Sequence, residues 1–295
     1  MPHRSIAFIG LGAMGGAMAE TLVKKQYRVT GYDNRPEAVA RLSSHGGKAA
    51  ASAEEAARGA DVVILMVVNA DQAEDVLFEK MAVEAAKPNA TIVVCSTCAP
   101  DRIEAMARRV ERTGRHFIDA PVSGGVTGAA TGTLTIMAAA PKAVFERARP
   151  VLAAMGSSLH HLGEHPGQGA AMKVVNQLLC GVHIAAAAEG LAFAERAGID
   201  PKVALEVLSG SAAQSWMLKA RGPRMVDYDN MVTSAVDIFV KDLGLVLASG
   251  TAAKMALPLA AAAHQLFLAA SGMGHGHEDD SQVIETYRAL MRKRA

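Results

Sequence analysis

The sequence predicts two domains of different class: an α/β domain on a parallel sheet, then an all-α domain joined to it by a long helix. Three observations carry this. Residues 6–119 alternate short β-rich runs with helical stretches, a glycine-rich turn separates the first strand from the first helix, and only helical patterns follow Gly167. Strands alternating with helices require right-handed crossovers and a sheet covered on both faces. A length of 295 residues is enough for two domains.

Taken in order, Ile6 to Gly10 reads as a strand and Met14 to Lys25 as a helix. Arg28 to Tyr32 and Pro36 to His45 repeat that pair. Val62 to Val67, Thr91 to Cys95 and His116 to Asp119 supply three more strands. Thr133 to Ala138 and Ser158 to Leu162 add two at the far end of the sheet. From Gly167 to Ala197 one long helix follows, apolar nearly all round, with Lys173, Asn176, Gln177, His183 and Glu189 as its polar exceptions. Such a helix is expected to be buried on every side, within a domain or between subunits. Helices then fit Pro201–Leu208, Ser215–Ala220, Val236–Ser249, Pro258–Ala270 and Asp280–Lys293. The boundary is expected near Glu164-His165-Pro166-Gly167, separating a nucleotide-binding domain of residues 1–164 from a helical substrate and oligomerisation domain of residues 165–295.

Composition narrows the function. Apolar residues make up 51% and charged residues 20%, as in an ordinary globular enzyme. A net charge of +1 lacks the basic field that nucleic-acid binding needs. No apolar run of about twenty residues is free of charges and turn signals, so no membrane span is expected. Met-Pro-His-Arg leads straight into a strand without the tripartite pattern of a secretory signal. Three cysteines do not make a disulfide framework, and a cytoplasmic location is the expectation.

Gly10-Leu11-Gly12-Ala13-Met14-Gly15 follows the first strand directly and opens the first helix. The first glycine allows a tight turn, the second lets backbone approach a pyrophosphate, and the third lets helix pack on strand. The helix amino terminus adds N–H donors and a positive dipole end. Asp33 ends the second strand, where a carboxylate can hydrogen-bond the ribose hydroxyls and repel a 2′-phosphate. That favours NAD over NADP, although Arg35 beside it could accommodate the phosphate. Together these features specify a Rossmann-type domain. Val67-Val68-Asn69 and Ser96-Thr97 end two further strands and should line the same crevice. Thr97 is the better cofactor contact, and the first trio also fits a plain exit turn.

Asp119-Ala120-Pro121-Val122-Ser123-Gly124-Gly125 ends another strand. A serine and two glycines expose successive N–H groups, which suits a carboxylate, though a simple glycine turn has the same pattern. Lys173 and Asn176 stand three apart on one helix face, so both heads can reach one site. Oxidising a secondary alcohol needs a base for the hydroxyl proton while hydride leaves carbon. A lysine serves if it is neutral when the alcohol binds, and burial and neighbouring positive charge act in that direction.

These segments, with Lys-Asp-Leu at 241–243, occur in order over nearly the whole chain. In this the chain resembles the β-hydroxyacid dehydrogenase family, which includes 3-hydroxyisobutyrate dehydrogenase, tartronate semialdehyde reductase and L-threonate dehydrogenase. The resemblance implies that Lys173 is the catalytic lysine and Asn176 orients substrate. It implies that Ser123, Gly124 and Gly125 bind the substrate carboxylate, and that Lys241 reaches both cofactor and substrate. The stretch Ser234 to Gly244 is similar to the L-threonate dehydrogenase branch, because many members carry an apolar residue where Asp237 stands. Asp237 could meet a distal hydroxyl of a sugar acid, or it could pair with Lys241 four residues on.

The expected activity is therefore NAD-dependent oxidation of a short hydroxy acid, L-threonate to 2-dehydro-L-erythronate, in a homodimer or homotetramer. The alternatives are another substrate of the same family or, in another class, a nucleotide-sensing or scaffold protein. A related imine-reducing enzyme fits less well, since the resemblance suggests a different residue at the lysine position there. Cys95 and Cys98 lack the second ligand pair of a zinc site and read as buried small residues. His275-Gly-His277-Glu-Asp-Asp280 reads as a connector with an acidic start to the last helix rather than a metal loop. Trp216 fits a pocket wall or the core equally.

Overall fold

The computed structural model describes residues 4–291, so Lys293, the expected end of the last helix, lies outside the described residues. The chain divides between Lys173 and Val174 into two units. In the first, β1 (Ser5–Ile9), β2 (Arg28–Tyr32), β3 (Lys48–Ala49), β4 (Val62–Leu65), β5 (Thr91–Val94) and β6 (His116–Asp119) form a parallel sheet in the order β3-β2-β1-β4-β5-β6. Beyond them lie β7 (Val122–Ser123), β8 (Thr135–Ala139) and β9 (Ser158–Gly163). Strand β8 runs antiparallel to β6 and β7 and parallel to β9. The two late strands expected at the far end of the sheet are β8 and β9.

Alternate residues of β1 feed opposite faces: Ile6 and Phe8 enter one hydrophobic cluster, Ala7 and Ile9 the other. Strands β4 and β5 are buried throughout, as the middle of a sheet covered on both sides must be. The α-helices between and after the strands are α1 (Ala13–Lys24), α2 (Pro36–Ser44), α3 (Ala53–Ala57), α4 (Ala70–Glu74), which runs on as a π-helical turn Asp75–Glu79, α5 (Ala82–Ala85), α6 (Pro100–Glu111), α7 (Gly125–Thr131) and α8 (Lys142–Met155). Met18 and Leu22 of α1 and Leu152 of α8 cover one face, while Ile103 and Met106 of α6 cover the other. Strand β3 escapes a pattern reading because its two residues are both exposed and alternate with nothing.

The winding direction reverses between β1, which continues to β2 and β3, and β4, which continues to β5 and β6. Ligands in such sheets bind beyond the carboxyl ends of the strands at that reversal. The Gly10–Gly15 turn leaves β1 there, and Val67-Val68-Asn69 leaves β4.

Helix α9 (Gln168–Arg196) starts in the first unit and supplies the core of the second. The second unit continues with α10 (Pro201–Gly210), α11 (Trp216–Val226), α12 (Val236–Ala252), α13 (Pro258–Ala270) and α14 (Ile284–Met291). Ile184, Ala188 and Leu191 of α9 pack with Phe239, Leu243 and Val246 of α12 and Phe267 of α13. Gly181 brings α9 close to α12, since a Cβ there would lie 2.8 Å from Leu243 Cδ2.

Within this one chain α9 is not covered all round: Met172, Val175 and Leu179 are exposed, and Phe193 is 74% exposed, which leaves the expected cover between subunits as the open alternative. By length and composition α9 could cross a membrane, but half of its apolar stretch is buried in protein, as in a core helix. One expectation is corrected here. The final segment is not one helix, because Asp280–Val283 forms a 3₁₀ turn before α14. The acids expected at its start are buried partners instead. Asp280 accepts two bonds from Arg221 at 2.7 and 3.1 Å, and Asp279 accepts one from Arg224 at 2.9 Å.

Candidate active site

The glycine turn has the shape a dinucleotide requires. Gly10 sits at φ +90°, and a Cβ there would fall 2.3 Å from Met66 O. At Gly15 a Cβ would lie 1.9 Å from Gly10 O, so α1 packs on β1 only through glycine. Gly12 differs, because its Cβ position meets nothing nearer than Arg35 Nη2 at 3.6 Å. The space above Gly12 is open, as a close approach of pyrophosphate to backbone needs. Ala13 and Met14 open α1, with no acidic residue in its first turn to oppose an anion.

Asp33 is held at the end of β2. Its Oδ2 accepts from Leu11 N at 2.7 Å, and its Oδ1 accepts from Arg35 N at 3.0 Å and Arg35 Nε at 3.1 Å. Burial opposes its charge, but the bonds from Arg35 and Leu11 outweigh it and leave the carboxyl below its ordinary pKa. Three of its roughly four acceptor positions are taken, and Oδ2 keeps one for a ribose hydroxyl. At the exit of β4, Val67 N donates to Ser96 Oγ at 2.9 Å, tying β4 to β5. Val68 is exposed, and Asn69 caps α4 by accepting from Gln72 N at 2.9 Å. Thr97 is half-buried at the β5 exit. Cys95 and Cys98 are buried in different hydrophobic clusters, so their side chains do not converge. Burial, reinforced by the Asp119 charge, pushes the Cys95 thiol up to about 12.

Ser123 ends β7, and Gly124 and Gly125 follow with φ of +129° and +63°. A Cβ at Gly125 would meet nothing within 4 Å, so this turn presents bare backbone. Four residues before Ser123, Asp119 does work that its sequence context did not announce. Its Oδ2 accepts from Gly167 N at 2.9 Å and Ala170 N at 2.8 Å, which fastens the start of α9 to the end of β6. Gly169 is needed for this approach, because a Cβ there would lie 2.5 Å from Met137 O. Lys173, one turn after Ala170, is thereby fixed relative to β6 and is only 7% exposed.

Asp119 has a stability consequence of defined sign. Burial raises its carboxyl to about 6 despite the backbone N–H bonds, against 3.8 for a free carboxyl. The native state holds this proton more tightly than the unfolded chain does. The group's contribution is therefore fully present below pH 3.8 and is lost as pH rises through about 6. Relative to wild type, Asp119→Asn should gain stability over that window in denaturant titrations at stepped pH. A difference that stays flat with pH would contradict this.

In the second unit, Asn176 is half-buried on α9. Lys241 Nζ lies 2.6 Å from Asp242 Oδ1, not on Asp237. That oxygen makes no hydrogen bond, so the contact is ionic. Asp237 instead accepts from Ser271 Oγ at 2.6 Å, with the exposed His277 at 4.0 Å. Trp216 is exposed and not part of the core. Among the described residues no three His, Cys, Asp or Glu side chains converge as metal ligands.

Residues 5–163 match the family described as the NAD binding domain of 6-phosphogluconate dehydrogenase. Residues 167–287 match the NAD-binding region of NADP-dependent 3-hydroxyisobutyrate dehydrogenase. The chain is 45% identical to an L-threonate dehydrogenase of Cupriavidus necator over 97% of each chain. It is 37% identical to a 3-hydroxyisobutyrate dehydrogenase of Pseudomonas aeruginosa over 96% of this chain and 98% of that one. A crystal structure described as 3-hydroxyisobutyrate dehydrogenase from Salmonella typhimurium superimposes with a TM-score of 0.92 at 42% identity, covering 96% of this chain and 99% of the other. With a nucleotide turn shaped for NAD(P), full-length similarity and the same fold, the chain belongs to the 3-hydroxyisobutyrate dehydrogenase-related family of β-hydroxyacid dehydrogenases, in its L-threonate dehydrogenase branch.

Proposed function

We propose that this chain oxidises L-threonate at its 2-hydroxyl to 2-dehydro-L-erythronate, with NAD as the preferred acceptor. The observation that carries the substrate is the full-length similarity to L-threonate dehydrogenases, together with Asp237 in the stretch Ser234 to Gly244. Asp237 is partly exposed and braced by Ser271, so it can accept from a distal substrate hydroxyl.

Each residue then has a role. Gly10, Leu11, Gly12, Ala13, Met14 and Gly15 would hold the pyrophosphate, and Asp33 the ribose hydroxyls. Val67, Val68, Asn69 and Thr97 would line the crevice, and Lys241 would reach cofactor and substrate together. Bound NAD supplies the acceptor for the hydride leaving C2. The backbone of Ser123, Gly124 and Gly125 holds the substrate carboxylate and so directs C2. Lys173 Nζ takes the hydroxyl proton as the C–H bond breaks, and in the reverse direction returns it to the forming alkoxide. Asn176, on the same helix face, orients the substrate.

A cytoplasmic homodimer or homotetramer fits this reading. The exposed apolar residues of α9, Met172, Val175, Leu179 and Phe193, support self-association.

The test is parallel initial rates with L-threonate, D-threonate, L-3-hydroxyisobutyrate, D-glycerate and L-serine, each with NAD and NADP. L-threonate with NAD should give the highest kcat/KM. Preference for D-glycerate or hydroxyisobutyrate would sink the substrate while leaving the mechanism. Asp33→Ser should shift preference toward NADP, since Arg35 would no longer be engaged by a carboxylate. Unchanged cofactor preference in that variant would remove Asp33 from the ribose site.

A further inference from the structure

A line of contacts inside the second unit joins two residues that the proposed function places at the substrate. Lys241 Nζ pairs with Asp242 Oδ1 at 2.6 Å. Asp242 Oδ2 accepts from Gln177 Nε2 at 2.6 Å, and Gln177 Oε1 accepts from Asn176 Nδ2 at 2.9 Å. Asn176 Nδ2 also donates to Cys180 Sγ at 3.4 Å. Asp242 is 2% exposed and Gln177 7%, so water cannot replace a lost partner easily.

The polarity of this line is dictated from its buried end. A carboxylate held beside the Lys241 ammonium only accepts hydrogen bonds. Gln177 must therefore turn its amide nitrogen toward Asp242, which leaves its oxygen toward Asn176. Asn176 in turn must present its nitrogen to Gln177. Reversing either amide would set oxygen against oxygen in a buried network, where an unmade bond costs its full desolvation. Both N–H groups of Asn176 are committed to Gln177 and Cys180, so the atom it shows beyond the network is the oxygen.

We propose that buried Asp242, acting through Gln177, fixes Asn176 as a hydrogen-bond acceptor, so that Asn176 reads a substrate hydroxyl and rejects a carboxylate or keto oxygen. This rests on the placement of Asn176 at the substrate in the proposed function. Gln177 and Asp242 are positioning residues. The proton of the 2-hydroxyl goes to Lys173, so the hydroxyl that Asn176 reads is a different one, and the arrangement selects acids that carry a second hydroxyl.

The test is a mutant cycle between two residues that Gln177 bridges, read as kcat/KM for L-threonate with NAD. Asn176→Asp sets a carboxylate against Gln177 Oε1 and should lower kcat/KM by about 100-fold. Asp242→Asn alone should also lower it. An amide at 242 lets Gln177 reverse and donate to the new carboxylate, so N176D/D242N should recover about tenfold over N176D. That recovery should vanish when Gln177→Leu breaks the line. A wild-type far-UV circular dichroism spectrum in each variant verifies the fold. Costs that multiply, or recovery that persists with Gln177→Leu, would overturn the relay. Wild-type kinetics in Asn176→Ala would instead overturn the placement of Asn176 at the substrate, and the proposal with it.

Discussion

Lys173→Ala is expected to lower kcat by about 10²–10⁴-fold, the usual worth of a positioned general acid–base group. NAD affinity should change little, because Lys173 is not among the groups proposed to hold the dinucleotide. The side chain is buried near the start of α9, and Asp119 anchors that start through Gly167 and Ala170. Removing the side chain leaves the backbone anchored and opens a small cavity. Added primary amines of the size of methylamine should therefore restore part of the rate. Lys173→Arg should remain inactive, since a guanidinium stays protonated and cannot take the hydroxyl proton. Turnover that survives Lys173→Ala would remove the lysine from the chemistry. A wild-type chain that binds NAD but turns over no hydroxy acid would favour the nucleotide-sensing alternative.

The second large effect separates two glycines of one turn. Gly15→Ala places a methyl 1.9 Å from Gly10 O, a backbone atom that no side-chain rotation can move aside. Overpacking a core typically costs ~1–3 kcal/mol and sometimes more, and a clash with fixed backbone belongs at the high end or beyond it. Gly12→Ala meets open space, so its denaturation midpoint should match wild type. Its methyl would occupy the approach of the pyrophosphate, and NAD affinity should fall tenfold or more. Calorimetry for NAD beside a denaturant melt separates the outcomes. Equal NAD affinity in Gly12→Ala would contradict the placement of the pyrophosphate.

The parts of this molecule readable from sequence are those with local causes. Val62 to Val67 and Thr91 to Cys95 are short apolar runs rich in β-branched residues, which suits central strands, and β4 and β5 lie within them. The glycine turn is readable because each glycine answers a separate steric demand. What escaped has non-local causes. Asp119 reads from sequence only as the end of a strand, and only the fold brings the start of α9 onto it, 48 and 51 residues later. Gln177 and Asp242 were each visible as polar residues in apolar helices. Their bond spans 65 residues and depends on how α9 and α12 pack. Asp237 and Lys241 have the spacing of a helical ion pair, yet the adjacent Asp242 holds Lys241 and Ser271 takes Asp237. The all-apolar pattern of α9 does not reveal whether its own chain or a second one covers each side, and within this chain Phe193 is left exposed.

The most direct test of the central claim uses L-threonate carrying deuterium at C2 with unlabelled NAD. The account predicts deuterium in the reduced nicotinamide and a primary isotope effect on hydride transfer in a single turnover. It also predicts loss of that transfer in Lys173→Ala while NAD remains bound. Deuterium retained in the acid, with reduced cofactor formed from another carbon or not at all, would contradict oxidation at the 2-hydroxyl.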